Sequence, residues 1–545
     1  MKLEYVCILV FLLSLGGILG VYPRIENVQL SQDSLLQTES LPLSKKMRDG
    51  EEFSVEFDIK SSFAKYDLNV VPDDCAERIL INDFVLDLNQ FQGHCDFSKG
   101  FNLVDSAIAP YRGDNNTHYK FFLKNNGGLA GLNVFVSQKS SLFFFLNALV
   151  CLSMSLFCLL LARRLKMGRL LLWVVFCAVL IRIVFLINVP YMTFSQDVDG
   201  HVAYVEYIID NRSLPKADDC WTCYHPPVYY ISAIPFFLIG KCLGFSGTSG
   251  LQVFSLMLSV LTLFLGFFFF RKILFGPALN VACILWAFWP VMILVSPRIG
   301  NDQMFYMLHL LCMWGGIKYL KNEGGKYLIV AVLAAFLAVW TKMSAVVTLG
   351  TVFLIVIIGF VQNNRRLKPS QSELVTCVMF LVLFVSLILR YLIGGVELVG
   401  NADGLNGGLK VGNEAFNYLY FDLKSFITHP FTSAWSDGMG REYFWNYVFK
   451  TALFGEFDMT QNIVGRNLAT LVSCSFLGLV VFALYGFWKS RLWMEDWILL
   501  LQGAAFFAAL IFLRIRHPYS CSGDFRYILP VVICVAPFVA RGVTF

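Results

Sequence analysis

Long apolar runs recur along the whole chain, and this feature constrains its fold most. A helix needs roughly 20 apolar residues to cross a bilayer core about 30 Å thick. Charged residues make up only 15% of the 545 residues, too few to cover soluble domains of that size. The chain is therefore predicted to be an α-helical polytopic membrane protein with about 12–13 crossings. The runs of apolar residues are 5–21, 141–162, 169–190, 228–245, 250–270, 275–296, 303–320, 326–340, 344–361, 373–394, 466–487, 495–513 and 526–543.

Basic clusters between the runs indicate how the crossings alternate, because Lys and Arg favour the cytoplasmic side. If every run crossed, loop 395–465 would be cytoplasmic and Arg271-Lys272 would lie outside. Both placements conflict with the preference of basic residues for the cytoplasmic side. Counting 228–270 as one crossing plus one interfacial or re-entrant helix removes both conflicts. Thirteen plain helices remain the alternative. The clusters that then share the cytoplasmic side are 163–169, 271–272, 318–326, 365–368 and 489–491. The net charge of +5 is small and spread between the apolar runs, so no nucleic-acid partner is expected.

The chain divides into five predicted parts. We expect a signal-anchor helix over 1–22 (with a cleaved signal peptide as the alternative), an extracytoplasmic β-sandwich over 23–140, a transmembrane core over 141–394 that includes an outer loop at 193–226, a large outer loop over 395–465, and C-terminal transmembrane helices over 466–545. Strands are predicted where apolar and polar residues alternate, as in Glu52–Lys60. Asn125-Asn-Gly-Gly128 predicts a hairpin joining strands 119–124 and 129–136. The sandwich would bind a sugar or a partner, or simply cap the membrane domain.

Five of the fifteen cysteines lie outside the apolar runs and map to the predicted outer side, where disulfides form. Cys75 and Cys95 could form a bridge inside the β-sandwich. Cys220-Trp-Thr-Cys223 has the spacing of a redox or zinc motif, but no βαβ pattern surrounds it. A structural disulfide is the favoured interpretation, and free thiols or a metal or redox site are the alternatives.

Outer loop 193–226 is the segment richest in chemically reactive side chains. Asp197 and Asp199 follow a membrane helix and precede His201 and Tyr204, and Tyr224-His-Pro-Pro-Val-Tyr-Tyr230 comes later. Carboxylates at a membrane rim are energetically costly unless they are solvated or have a function. Two such carboxylates could perform acid–base chemistry. An ordinary solvated loop is the alternative.

Further polar residues interrupt apolar runs on the same predicted side. They are Arg298-Ile-Gly-Asn-Asp302, Thr341-Lys-Met-Ser344, Arg514-Ile-Arg-His-Pro518 and Asp524-Phe-Arg-Tyr527. A lysine such as Lys342 is expensive there unless it faces an anion or an aqueous cavity, although it could also snorkel to the interface. Acids and cations around one outward cavity suit a reaction with an anionic leaving group. A lipid-linked phosphate is the natural candidate, because its tail stays in the bilayer.

The order of these motifs over residues 170–545 resembles the GT-C superfamily of polyprenol-dependent glycosyltransferases, which includes protein O-mannosyltransferases, aminoarabinose transferases and bacterial lipopolysaccharide-core sugar transferases. The resemblance implies an inverting transfer of a sugar from a polyprenyl-phosphate donor to a lipid, glycan or protein acceptor outside the cytoplasm. It implies no cofactor, although a divalent metal ion is possible. Many relatives have Glu directly after the first-loop Asp, whereas this chain has Val198 followed by Asp199. The identity of the base therefore stays open between Asp197 and Asp199.

The resemblance also implies roles for individual residues. Asp197, Asp199 and Asp302 are the expected catalytic carboxylates. The expected substrate-binding residues are His201, Tyr204, His225, Lys342 and Arg526. Lys342 and Arg526 would contact the donor phosphate. No metal-binding residues are expected.

Two other classes of protein remain as alternatives. A lipid-linked glycan ligase or polymerase would use a diphosphate-linked donor and depend on arginines of the outer loops. A transporter or flippase would show two related halves, and no such repeat is visible. We expect a bacterial inner (plasma) membrane with the active site facing the periplasm, or the ER membrane if the organism is eukaryotic.

Overall fold

The structure is a computed structural model. It describes residues 3–21, 23–32, 35–38, 41, 43–48, 50–60, 65–72, 75–88, 91, 94–95, 100–125, 129–138, 141–189, 191, 193–194, 197–243, 245–362, 371–394, 407–435, 440–457, 459 and 462–545. The predicted basic cluster 365–368 and the first part of the predicted loop 395–465 lie outside these residues.

Helices dominate the described residues, and all ten strands lie in the N-terminal part. The α-helices are α1 Leu3–Val21, α2 Asp105–Ile108, α3 Ser141–Arg164, α4 Arg169–Asn188, α5 Val198–Asn211, α6 Val228–Cys242, α7 Gly247–Ile273, α8 Gly276–Phe288, α9 Pro290–Leu294, α10 Asp302–Leu320, α11 Lys326–Val339, α12 Val346–Gln362, α13 Gln371–Gly394, α14 Ala415–Leu419, α15 Leu423–Thr428, α16 Phe444–Phe454, α17 Ile463–Lys489, α18 Met494–Arg516 and α19 Val531–Thr544. The strands are β1 Arg24–Gln32, β2 Leu35–Thr38, β3 Leu43–Lys46, β4 Glu52–Lys60, β5 Tyr66–Pro72, β6 Cys75–Ile81, β7 Phe84–Leu86, β8 Phe101–Leu103, β9 Asn116–Lys124 and β10 Leu129–Gln138.

Several helices are long and apolar enough to cross a bilayer, so the chain is a multi-pass membrane protein. Among the described residues, α3, α4, α7, α17 and α18 meet both criteria individually. A sixth candidate is the bent pair formed by 520–528 and α19, and six further apolar helices are shorter. The total of 12–13 crossings stays a prediction, because length and composition identify only the longest spans.

The chain folds as two compact units, one comprising 1–160 with 241–245 and the other 161–240 with 246–545. The first unit contains the predicted β-sandwich. Its two antiparallel sheets have the strand orders β2-β1-β4-β9-β6-β7 and β3-β10-β5-β8. Alternate residues of both sheets form one core, in which Val55, Phe57 and Leu68 are fully buried. Inside this core the hydroxyls of Tyr66 on β5 and Tyr119 on β9 lie 2.9 Å apart.

The predicted hairpin at 125–128 is wrong. Strand β9 pairs with β4 and β6, whereas β10 pairs with β3 and β5, so the connection passes from one sheet to the other. Residues 126–128 themselves lie outside the described residues. Turn chemistry predicts a change of direction, but core formation decides which strands pair. A disulfide joins Cys75 to Cys95 in this unit, as the sequence allowed.

Basic segments that the sequence assigned to one side of the membrane meet at one end of the second unit, which we call the basic end. Arg271 donates a hydrogen bond to the Leu165 carbonyl (3.1 Å), and Lys272 pairs with Glu323 at 2.7 Å. Lys321 pairs with Glu495 (3.2 Å). Arg541 likewise pairs with Asp496 (2.8 Å). The end of α7, the loop after α10, the start of α18 and the end of α19 therefore lie together.

Helix α6 contacts α7 near the end of α7 that lies away from the basic end; the single crossing over 228–270 stays a prediction. Near the start of α6, the ring of Tyr229 stacks on Phe254, with centroids 5.8 Å apart. Further along α6, a Cβ atom on Gly240 would lie 3.1 Å from the Gly250 backbone nitrogen. Both contacts involve the first third of α7, so α6 crosses this part of α7 and does not accompany it to the basic end.

Candidate active site

Four segments converge at the end of the second unit opposite the basic end. They are the start of α5, residues 298–302 before α10, residues 340–342 after α11, and residues 520–528 before α19. Asn301 links two of them, because its side-chain amide donates a hydrogen bond to the Thr341 carbonyl (3.2 Å). We call the charged cluster that they form the site end.

Asp197 directly precedes α5 and is the most accessible carboxylate among the ion pairs of the site end. The backbone of Asp197 has left-handed angles (φ 57°), which Asp tolerates better than most residues. Its side chain is 41% exposed, and its Oδ2 lies 3.8 Å from Nη2 of Arg526. Its Oδ1 accepts a hydrogen bond from the indole N–H of Trp221 (2.9 Å). The carboxylate is thus held from two directions and still reaches solvent.

Arg526 is buried and connects several groups of the cluster. Its Nε lies 3.0 Å from Oδ2 of Asp524, in an ion pair whose geometry does not satisfy a hydrogen bond. The other Asp524 oxygen caps the short 3₁₀ turn by accepting the backbone N–H of Arg526 (2.9 Å). Tyr306 on α10 donates its hydroxyl hydrogen bond to the Arg526 carbonyl (2.6 Å). Arg526 is therefore held by two segments far apart in the sequence, with Tyr306 fixing its backbone and Asp524 pairing with its side chain.

Lys342 forms a third ion pair of the site end, with Asp302 at the first residue of α10. The carboxylate is well placed there, because the N-terminus of a helix carries partial positive charge. The Lys342 ammonium and the Arg526 guanidinium both lie over the ring of Tyr527, at 4.8 and 4.9 Å from its centroid. Two cations thus face the same aromatic ring.

His201, Tyr204 and His225 belong to one group of packed rings that also includes Tyr230. The His201 ring nitrogen Nδ1 lies 2.8 Å from the Tyr230 hydroxyl, and the rings of Tyr204 and Tyr230 stack with centroids 3.7 Å apart. The Tyr204 hydroxyl donates to the His225 carbonyl (3.2 Å). His201 and Tyr204 are buried, so the geometry favours a supporting role for them. Their predicted role in substrate binding stays a prediction.

Asp199 is the predicted carboxylate that the structure does not bring into the cluster. No ion pair links Asp199 to Arg526, Lys342 or Arg298 among the described residues. Partial burial raises the pKa of Asp199, and no neighbouring charge contributes to that shift. Asp197 therefore has the geometry of a site residue, although the assignment of the base is still a prediction.

The electrostatics of the site end favour charged carboxylates and a neutral imidazole. Burial acts to raise the pKa of Asp197, but Arg526, His201 and the Trp221 hydrogen bond outweigh it and lower that pKa. The pKa of Asp302 is also low, because Lys342, Arg526 and Arg298 outweigh its burial. Burial lowers the pKa of His201 to about 4. Both aspartates are thus anionic at neutral pH, and Asp197 is able to accept a proton.

Metal-type ligands do not cluster at the site end among the described residues. Among the described residues, the one group of three potential metal ligands is Cys75, His94 and Cys95 in the sandwich. Its two cysteines form a disulfide, so they offer no thiolate to a metal ion. The described carboxylates of the site end form ion pairs with cations instead.

Sequence reasoning missed Trp221, Arg298, Asp524 and Tyr527 as members of the site. Three of them stand in segments that the sequence had already marked as polar interruptions. Trp221 lies between Cys220 and Cys223, which form the favoured disulfide. Asp524 and Tyr527 could have been found from the sequence, because they lie within two residues of the predicted site residue Arg526.

Residues 224–389 match the family described as dolichyl-phosphate-mannose-protein mannosyltransferase. This match confirms the predicted resemblance to GT-C glycosyltransferases over that segment, which contains Asp302 and Lys342. No curated protein sequence matches the chain.

Two solved structures of an oligosaccharyltransferase from Archaeoglobus fulgidus resemble the chain weakly. The apo form is 13% identical with a TM-score of 0.40. The complex with an inhibitory peptide and a dolichol-phosphate is 14% identical with a TM-score of 0.36. Each comparison covers 68% of this chain and 50% of the other, so the chain spans about half the length of the structures it matches.

Proposed function

We propose that the protein is an integral membrane glycosyltransferase that transfers a sugar from a polyprenyl-phosphate donor to an acceptor hydroxyl. The observation that carries the proposal is the juxtaposition of a partly exposed, anionic Asp197 with the buried cations Arg526 and Lys342. A base and an anion-binding site are the two elements that such a transfer needs. The family match over 224–389 supports a lipid-phosphate sugar as the donor.

Asp197 acts as the general base in this proposal. Its carboxylate takes the proton of the acceptor hydroxyl, and the acceptor oxygen attacks the anomeric carbon of the donor. The bond between that carbon and the phosphate oxygen breaks, and the lipid phosphate leaves with the electron pair. Attack opposite the leaving group inverts the anomeric configuration. Asp302 contributes indirectly, because it holds the Lys342 side chain.

Lys342 and Arg526 stabilise the negative charge that develops on the phosphate oxygen. Preorganised cations in a site that excludes water lower the barrier more than they would in bulk solvent. Both side chains are already held by carboxylates and by the Tyr527 ring, so little reorganisation is needed. Arginine also suits a phosphate because its planar donors match two oxygens at once.

The proposed location follows from the charge distribution along the chain. The basic end faces the cytoplasm by the positive-inside rule, so the site end faces the periplasm or exterior of a bacterium, or the lumen of the ER in a eukaryote. The donor tail lies in the bilayer, and the acceptor is a lipid, glycan or protein that approaches from the water side.

The test is a transfer assay in membranes that contain the full chain, with radiolabelled dolichyl-phosphate mannose and undecaprenyl-phosphate sugars as donors. Transfer by the wild-type chain that is lost in Asp197→Asn supports the proposal. Transfer only from diphosphate-linked glycans indicates a ligase or polymerase and contradicts it. Uptake or flipping of a lipid without formation of a glycosidic bond also contradicts it.

A further inference from the structure

The turn formed by Cys220–Cys223 is a small rigid unit beside Asp197. A disulfide joins the two cysteines, and the Cys223 amide donates to the Cys220 carbonyl (3.1 Å). The His225 amide then donates to the Thr222 carbonyl (3.0 Å). The entropic effect of a disulfide on folding grows with the length of the loop it closes, so a ring of four residues contributes little to global stability. Its main effect is therefore to fix local geometry.

Glycine at position 200 lets this turn pack against the first turn of α5. A Cβ atom on Gly200 would lie 2.6 Å from Cγ2 and 3.2 Å from the backbone nitrogen of Thr222. Thr222 and Cys223 are buried in this contact, whereas Trp221 is 44% exposed. One side of the turn is anchored to α5, and the indole is presented on the other side.

The indole reaches the carboxylate that the proposed mechanism uses as a base. Nε1 of Trp221 donates to Oδ1 of Asp197 at 2.9 Å, while Oδ2 faces Arg526 at 3.8 Å. An indole N–H is only a donor, so it cannot compete for the proton that Asp197 accepts. One short hydrogen bond and one longer ion pair leave the carboxylate a single preferred orientation.

We propose that Trp221, fixed by the Cys220–Cys223 disulfide, is a positioning residue that orients the Asp197 carboxylate toward the acceptor hydroxyl. This inference rests on the proposed function. Reduction of the disulfide releases the turn and loosens the indole contact, so the disulfide and the tryptophan act as one unit. Base geometry is demanding, since a misplacement of about 1 Å can cost roughly 10²-fold in rate.

The first experiment compares Trp221→Phe with the matched control Trp435→Phe. Trp435 is also an exposed tryptophan of the predicted outer side, and none of the ion pairs or hydrogen bonds described for the site end involves it. Trp221→Phe keeps an aromatic ring but removes the N–H. We expect kcat to fall about tenfold or more with acceptor and donor KM within about twofold, because the hydrogen bond serves the base rather than binding. The control should behave as the wild type.

The second experiment does not depend on transfer activity. Carbodiimide labels protonated carboxyl groups, and peptide mass spectrometry reports the labelling rate of Asp197. Loss of a hydrogen bond to the charged form raises the pKa of Asp197, so Trp221→Phe should label several times faster at mildly acidic pH. The Cys220→Ala/Cys223→Ala double variant, and wild-type protein treated with a phosphine reductant, should label faster in the same way.

The two experiments separate failure of this inference from failure of the proposed function. If the wild type transfers no sugar but the labelling response is as expected, the proposed function fails and Trp221 still positions Asp197. If labelling is unchanged in Trp221→Phe and in the double variant, the inference is overturned. Free thiols at Cys220 and Cys223 in untreated protein would also overturn it. So would a loss of acceptor affinity in Trp221→Ala with no effect in Trp221→Phe, since the ring face would then be what matters.

Discussion

The two ends of the helical unit both carry ion pairs, but the pairs differ in burial and in connection. At the basic end Lys272 and Glu323 remain about a third exposed, and of the pairs described there only Arg541–Asp496 is largely buried. At the site end Lys342 and Arg526 are nearly buried, and both lie over Tyr527. Exposed pairs contribute little energy, whereas buried charges are costly unless they are employed. Under the proposed function, charge at the basic end sets the topology and charge at the site end serves the transfer reaction.

Asp197→Asn is expected to have the largest effect on transfer of the variants considered. The amide keeps the shape of the carboxylate but cannot take a proton, so transfer should fall by about 10²–10⁴-fold. The measurement is the initial rate of transfer in membranes with matched amounts of folded protein. Asp199→Asn is the matched control and should retain most activity, because Asp199 lies outside the cluster. Equal losses in the two variants would remove the distinction between them.

Lys342→Met should reduce transfer by about 10²-fold, because a cation that stabilises the leaving phosphate is lost. It also leaves Asp302 without its ion-pair partner, which typically costs about 3–5 kcal/mol in a buried pair. The double variant Asp302→Asn/Lys342→Met should recover much of the thermal stability but not the activity. Recovery of activity in the double variant would show that Lys342 acts only in folding.

The pH dependence of transfer sharpens the comparison further. Asp197 must be ionised to accept a proton, and its pKa lies below the ordinary value, so activity falls only when the pH drops through that lowered pKa. We expect kcat/KM to be nearly constant from about pH 7 to about pH 5. His201 stays neutral over this range, since its pKa is about 4. An acidic limb with a midpoint near pH 6 would contradict the assignment of Asp197.

Lys272→Met tests the basic end and should have the smallest effect. Its partner Glu323 keeps a second pair with Lys318 at 3.1 Å. The variant should lose no more than about 1 kcal/mol of stability. Transfer in membranes should be unchanged, and accessibility labelling of an added cysteine should show the same topology. A loss of transfer as large as that of Lys342→Met would contradict the conclusion that only the site end takes part in transfer.

Much of this architecture follows from local sequence properties. Apolar runs predict membrane helices because many of them approach the roughly 20 residues that a bilayer crossing needs. Alternation predicted the strand Glu52–Lys60, which the structure has over those same residues. The error at 125–128 has a physical reason: a turn signal describes four residues, whereas strand pairing depends on the packing of two whole sheets. The contact between Asp197 and Trp221 was missed because neither residue's type predicts the other's position.

By itself the sequence determined that the chain is a membrane protein and that its few charges outside the basic clusters include Asp197, Asp302, Lys342 and Arg526. It also predicted which segments share a side of the membrane. These are properties of short segments, set by hydropathy and charge. Only the tertiary structure decided that Asp197 meets Arg526 and Trp221, that Lys342 pairs with Asp302, and that Asp199 lies apart. The reason is that such contacts depend on how α5, α10, α11 and the segment before α19 converge, and packing between elements distant in sequence is not encoded in any one of them.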